Sequence, residues 1–140
     1  LRNSLNNYLV IFNPYHKISN ISSVAVFFGT DTPNLPLGYI RKVFKTLDRN
    51  QVIIGPTKDG GYYLIALSED RKELFQNIDW GTSTVLTQTC SKLSSHEYSL
   101  LPPWYDIDNM QDLERLKNDL KRDCEGFPHR THSFLKKIQL

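Results

Sequence analysis

Charge of one sign, sulfur and long apolar runs are all scarce in this chain of 140 residues, and each shortage removes a class of function. Lysine and arginine number 17 against 15 aspartates and glutamates, a formal net charge of +2. So even a balance gives no electrostatic case for binding nucleic acid or an anionic membrane. Unbroken apolar stretches such as Val24 to Phe28 fall far short of the roughly 20 residues a bilayer helix needs, so no membrane span is expected. Only two cysteines are present, Cys90 and Cys124, far apart and without metal-ligand spacing. Reduced thiols in a cytoplasmic protein are the default reading, with a disulfide as the alternative. His129 and His132 stand at helical i, i+3 spacing but have no cysteine or carboxylate beside them, so solvated side chains explain them more simply than a metal. There is no Gly-x-Ser-x-Gly elbow, no P-loop and no Gly-x-Gly-x-x-Gly. Leu1-Arg2-Asn3-Ser4 opens a polar, periodic segment unlike a secretory leader, and with no Met at its start the chain reads as a piece of something longer.

What is present is enough for one core. Hydrophobic residues make up 39% of the chain, which suits a single domain over residues 1–124, followed by a basic tail over 125–140. Its organising stretch is Gly55 to Leu67. Two apolar runs, Val52-Ile53-Ile54 and Tyr62 to Leu67, flank Asp59-Gly60-Gly61, the pattern of a hairpin with a polar tip. Paired glycines serve a backbone that takes positive φ or approaches something closely, and Asp59 adds a carboxylate there. Asp-Gly-Gly is also simply a good turn, and both readings stand.

Upstream, Leu5, Tyr8, Leu9 and Phe12 have helical spacing and predict the end of an amphipathic helix stopped by Asn13-Pro14, with a loop over 14–22. Ser23 to Phe28 predicts a strand buried on both faces, followed by a loop with Asp31 and a helix carrying Leu37, Ile40, Val43, Phe44 and Leu47, with Pro36 in its first turn. That order is a βα unit, and it puts Asp31 at the carboxyl end of its strand, where open α/β sheets bind ligands. A polar link holds the apolar pair Leu74-Phe75. A second helix follows with Val85, Leu86, Cys90 and Leu93 on one stripe and Thr82 or Ser83 as its cap. Ser99-Leu100-Leu101 predicts a short strand. After the loop Trp104 to Asp108, Asn109 and Asp112 suit a capping box for a helix with Leu113, Leu116 and Leu120 inward. The tail is expected to hold about one helical turn.

Three acidic loops therefore lie at predicted strand ends: Asp31, Asp59, and Asp106 with Asp108. Two ionised carboxylates about 4 Å apart would repel by about 4 kcal/mol at an effective dielectric of 20, so a converging pair calls for a cation. Oxygen ligands suit Mg²⁺ or Mn²⁺, ions commonly shared with substrate phosphates. Each aspartate taken singly is as well explained as a turn former or a solvated loop charge. Lys58 could reach a phosphate, though an exposed turn lysine is the plainer account. Tyr62 and Trp80 could stack on a sugar or base, or simply pack.

Val24 to Pro33, Gly55-Pro56 with Asp59-Gly60-Gly61-Tyr62-Tyr63-Leu64-Ile65, Trp80-Gly81-Thr82 with Val85-Leu86, and Leu101-Pro102-Pro103 before Asp106-Ile107-Asp108 together resemble the DUF2064 family. The resemblance spans roughly residues 1–120. It implies an α/β, Rossmann-like GT-A sheet of the nucleotide-diphospho-sugar transferase type, in three α/β/α layers. It further implies a metal-dependent glycosyltransferase-like protein acting on a nucleotide-diphosphate sugar, with an unknown acceptor. In that frame Asp31 matches the acidic residue standing where related enzymes have their metal motif, Asp108 the second acidic position before the last helix, and Asp59, Gly60 and Gly61 the loop that faces sugar or acceptor. The expectation built on it makes Asp31 and Asp108 the metal ligands, Asp59 the catalytic residue that orients an acceptor hydroxyl or takes its proton, and Tyr62, Trp80 and Thr82 further substrate contacts. Departures are Thr32 where the family commonly has Cys, and Asn109-Met110-Gln111 where it has Thr-Pro-Glu. The family's opening strand and Pro-Gly-x-x-Lys-Thr-Arg-like phosphate loop have no counterpart in residues 1–22, so only the carboxyl-terminal portion is matched. Nucleotidyl transfer from a nucleoside triphosphate is the enzymatic alternative. A non-catalytic remnant, self-associating through an exposed sheet edge, is the other.

Overall fold

The computed structural model describes residues 8–12, 25–47, 52–122 and 129–137. The elements run β1 (Tyr8–Phe12), β2 (Ala25–Gly29), α1 (Leu37–Thr46), β3 (Val52–Pro56), β4 (Tyr62–Leu67), a short 3-10 turn (Lys72–Phe75), α2 (Val85–Cys90), β5 (Tyr98–Leu100), α3 (Met110–Arg122) and α4 (His129–Lys137). One five-stranded sheet has the order β1-β2-β4-β3-β5. Strand β4 is antiparallel to both β2 and β3, while β3 and β5 are parallel, so β2, β3 and β5 all point the same way. Their carboxyl ends share one edge, and that direction places the site.

Alternation along the strands divides the core into two faces. Val26, Phe28, Ile53, Leu64 and Ala66 meet Val43 and Leu47 of α1, with Tyr39, Ile40 and Phe44 packed beside them. Val52, Ile54, Ile65 and Leu67 meet Leu74 of the 3-10 turn, Val85 of α2 and Leu93 on the opposite face. Helices thus cover both faces of the sheet, the expected three layers. A third cluster joins Leu116 and Leu120 of α3 to Leu135 of α4.

An extra residue in β4 alters this alternation where it matters. Gly55 pairs with Leu64 but Pro56 pairs with Tyr62, so Tyr63 is an additional residue and the register shifts. Strict alternation would put Tyr62 on the same face as Leu64. Instead Tyr63 shares that face, and Tyr62 turns to the α2 side. The Tyr63 ring then lies over Gly55, where a Cβ would stand 2.4 Å from Cζ. Its hydroxyl donates to the Pro102 carbonyl at 3.0 Å, tying the hairpin to the segment after β5.

Several expectations need correction. Residues Tyr8–Phe12 form a strand antiparallel to β2, not a helix, because this unbroken five-residue apolar run satisfies strand pairing as well as helical spacing. The loop expected over 14–22 and Cys124 lie outside the described residues. Strand β2 is only half-buried at Ala25, Phe27 and Gly29, so its two faces are not equally covered. Leu37 is 54% exposed at the start of α1, and Pro36 sits just before the helix. Helix α2 starts later than a Thr82 or Ser83 cap would allow: Thr84 precedes it without a side-chain cap, while the Thr82 hydroxyl donates to the Asp79 carbonyl at 2.7 Å and accepts from the Thr84 amide at 3.4 Å. Leu93 lies beyond its last residue yet remains in the core. Helix α4 covers nine residues, more than the single turn expected, since Leu135 finds a partner surface on α3. The capping box is as expected. Asn109 Oδ1 accepts from the amides of Gln111 at 2.8 Å and Asp112 at 3.1 Å, and Asp112 Oδ2 accepts from the Asn109 amide at 3.3 Å. Among the described residues no helix is long and apolar enough to cross a membrane.

Candidate functional site

Three loops leave the sheet at the shared carboxyl edge. Asp31 lies two residues past β2, Asp59 at the β3–β4 tip, and Asp106 and Asp108 on the extended segment after β5. Backbone bonds hold the loops together. The Trp104 amide donates to the Pro56 carbonyl at 3.0 Å, continuing the β3–β5 pairing, and the Ile107 amide donates to the Asp31 carbonyl at 2.9 Å. Gly29 makes room beneath them, because a Cβ there would stand 2.6 Å from Asp31 Oδ1.

Carboxylate oxygens of Asp31, Asp106 and Asp108 all lie within 4.8 Å of one another. Oxygens sharing one octahedral Mg²⁺ stand about 3 Å apart when adjacent and about 4 Å when opposite, so small side-chain rotations suffice to hold such an ion. The donor set fits as well: three hard carboxylate oxygens, two half-buried and one exposed, with room for water. Partial burial pushes the Asp106 carboxyl up to about 6, partly opposed by a backbone hydrogen bond and reinforced by the charges of Asp59, Asp108 and Asp31. Asp108 is raised in the same direction, again by burial first and then by Asp31, Asp59 and Asp112. Carboxylates raised by burial and by one another, in a cleft where none of the described lining residues is basic, suit a cation site.

Its other components line the same cavity of about 350 Å³. Asp59 Oδ1 accepts from the Thr57 hydroxyl and from the Gly61 amide at 3.2 Å, which fixes the carboxylate on the hairpin tip. Asp59 stands apart from the three-carboxylate group but close enough to act on two of its members. Tyr62, turned inward by the extra residue in β4, meets Trp80 edge to face with ring centroids 6.3 Å apart. The Trp80 loop is fastened to α2 by Gln88, whose side chain accepts from the Asp79 amide at 2.8 Å and donates to Asp79 Oδ2 at 2.7 Å. Gly81 and Thr82 complete this wall.

Of the residues singled out from the sequence, Asp31, Asp59, Gly61, Tyr62, Trp80, Thr82 and Asp108 thus face one cavity. Gly60 is not among its lining residues. It lies behind the tip with φ of 94°, and its carbonyl accepts from the Leu86 amide at 2.8 Å. Lys58 is exposed on the tip and outside the lining. Asp106 joins the two expected ligands, Asp31 and Asp108; side chains two apart on an extended segment share a side, a signal that pairs it with Asp108. Thr57 and Tyr63 also line the cavity, and the sequence pattern gives neither a role in a site.

A pH dependence follows from Asp106. Its carboxyl binds a proton more tightly folded than unfolded, so its contribution to stability is full below the ordinary value of 3.8 and lost as pH rises through about 6. A divalent cation needs the ionised form. The rise in melting temperature produced by saturating Mn²⁺ should therefore be small at pH 5 and larger at pH 7, as thermal melts with Mn²⁺ or chelator would show. An equal rise at both pH values would contradict the site.

A family model described as an uncharacterized protein conserved in bacteria, DUF2064, matches residues 15–82. The crystal structure of a candidate nucleotide-diphospho-sugar transferase from Desulfovibrio desulfuricans superposes with a TM-score of 0.71 at 31% sequence identity, over 81% of this chain. Within this chain the DUF2064 match takes in β2, α1, β3, β4 and the Trp80 loop. The chain's α/β architecture is that of a nucleotide-diphospho-sugar transferase fold in part, since the structural match covers 51% of the Desulfovibrio chain. The chain thus spans about half the length of that relative. No curated protein matches it significantly.

Proposed function

We propose that this chain carries the cation and sugar side of a glycosyltransferase-like site that acts on a nucleotide-diphosphate sugar. The observation that supports it most is the meeting of Asp31, Asp106 and Asp108 at one sheet edge. Those three carboxylates would hold Mg²⁺ or Mn²⁺, which when bound supplies Lewis-acid neutralisation of a diphosphate leaving group. Asp59, with Oδ1 held by Thr57 and Gly61, keeps Oδ2 to take the proton of an acceptor hydroxyl. Trp80 and Tyr62 offer ring surface to the apolar face of a sugar, and Thr82 adds a hydroxyl beside them. The likeness to the Desulfovibrio protein supports the same reading.

Calorimetry of the chain with a panel of nucleoside-diphosphate sugars, with and without Mn²⁺, tests it. Binding that needs Mn²⁺ and is lost on Trp80→Ala is the expected result. Pyrophosphate release from a nucleoside triphosphate, with no affinity for any nucleotide sugar, would replace it by nucleotidyl transfer.

A further inference from the structure

Asn34 lies three residues past Asp31, on the loop after β2, and is only 8% exposed. The loop that carries Asp106 and Asp108 grips its amide from both sides. Trp104 Nε1 donates to Asn34 Oδ1 at 3.2 Å, and Asn34 Nδ2 donates to the Tyr105 hydroxyl. That hydroxyl donates in turn to Asp119 Oδ2 on α3 at 2.6 Å. Chemistry forces this order. An indole N–H only donates, so Asn34 must turn its oxygen to Trp104 and its NH₂ group to Tyr105. The Tyr105 oxygen then accepts, and its proton goes to a carboxylate that only accepts. Packing holds the members in place: Trp104 stacks on Tyr105 with centroids 5.6 Å apart, and the Arg115 guanidinium covers the Tyr105 ring at 3.7 Å.

We infer that Asn34 is a positioning residue: its one-directional hydrogen-bond chain, through Trp104 and Tyr105 to Asp119, sets the spacing between Asp31 and the Asp106–Asp108 pair. The chain joins segments some 70 residues apart in sequence, each bearing ligands of the same candidate site. Neither Asn34 nor Tyr105 is among the three clustered carboxylates, so both act through the loops. The consequence for cation affinity rests on the cation reading given above.

Two substitutions in the 140-residue chain test it. Tyr105→Phe keeps the ring and removes the link. Asn34→Asp keeps the shape but leaves the Tyr105 proton contested by two carboxylates. Added negative charge alone would tighten cation binding, so weaker binding by Asn34→Asp marks lost geometry. Calorimetry should give Mn²⁺ affinity reduced about 10- to 100-fold in both variants. Amide exchange should quicken at Ile107, whose N–H is bonded to Asp31, and stay unchanged at Ile54 and Leu64 in the core. Unchanged Mn²⁺ affinity together with unchanged Ile107 exchange would overturn the inference. If the parent chain takes no Mn²⁺, the cation reading falls by itself. Ile107 exchange then decides alone: faster exchange in Tyr105→Phe upholds loop spacing, and unchanged exchange rejects it. Should Asn34→Asp fail to fold, Tyr105→Phe carries the test.

Discussion

Asp106→Asn should raise the melting temperature of the metal-free protein and, in the same variant, weaken Mn²⁺ binding about 100-fold or more. The two effects have one origin. At neutral pH the Asp106 carboxylate is ionised against partial burial and against the charges of Asp59, Asp108 and Asp31. A neutral amide of the same shape removes that cost. It also removes a ligand charge, and loss of a direct ligand should exceed the 10- to 100-fold typical of groups that merely support one. Thermal melts in chelator, paired with Mn²⁺ calorimetry, read both quantities. A variant that is less stable without metal, or that binds Mn²⁺ like the parent, would show that the three carboxylates do not form a strained cation site. Most substitutions destabilise, so a gain in stability at a site residue is a specific outcome.

Gly60→Ala is expected to cause the largest loss of stability on the site side of the molecule. Gly60 has φ of 94°, a conformation that strains any side chain, and a Cβ there would stand 2.0 Å from the Ser83 carbonyl oxygen. Backbone on both sides leaves no flexible side chain to yield. Strain of this kind costs about 1 to 3 kcal/mol, and the displaced Ser83 segment adds to it. A loss of roughly 3 kcal/mol or more follows, on the order of 10 °C in melting temperature. Damage should extend to the site, because the tip carries Asp59 and the Ser83 segment adjoins Thr82. Gly38→Ala is the control. A Cβ at Gly38 meets nothing within 4 Å, and the residue lies in α1. That change should be neutral or stabilising by up to about 1 kcal/mol. Urea denaturation of the two variants compares them, and similar stabilities would count against the packing of tip on loop.

Much of this architecture was legible because local and global preferences agree. Val24 to Phe28 followed by the Ile40, Val43, Phe44 and Leu47 stripe specifies a βα unit, and Asp59-Gly60-Gly61 between two apolar runs specifies the hairpin. The capping box at Asn109 and Asp112 needs only neighbours in sequence. What escaped was decided by distant partners. Tyr8–Phe12 satisfies two periodicities, and pairing with β2 selects the strand. In Tyr62 to Leu67 every residue is apolar, so nothing in the pattern marks Tyr63 as the extra one. Its placement depends on Gly55 across the ladder. Helix α4 extends because Leu135 meets Leu116 and Leu120, a contact absent from any local window. The site was legible as three acidic strand ends. The share of Asp106 in it depended on the extended course of the chain from Pro102 to Asp108, which β5 and the Ile107 bond impose.

Anomalous diffraction from crystals grown with Mn²⁺ tests the cation centre most directly. One peak should lie within about 2.2 Å of a carboxylate oxygen from each of Asp31, Asp106 and Asp108. A peak held by other residues, or no peak at saturating Mn²⁺, would contradict the account.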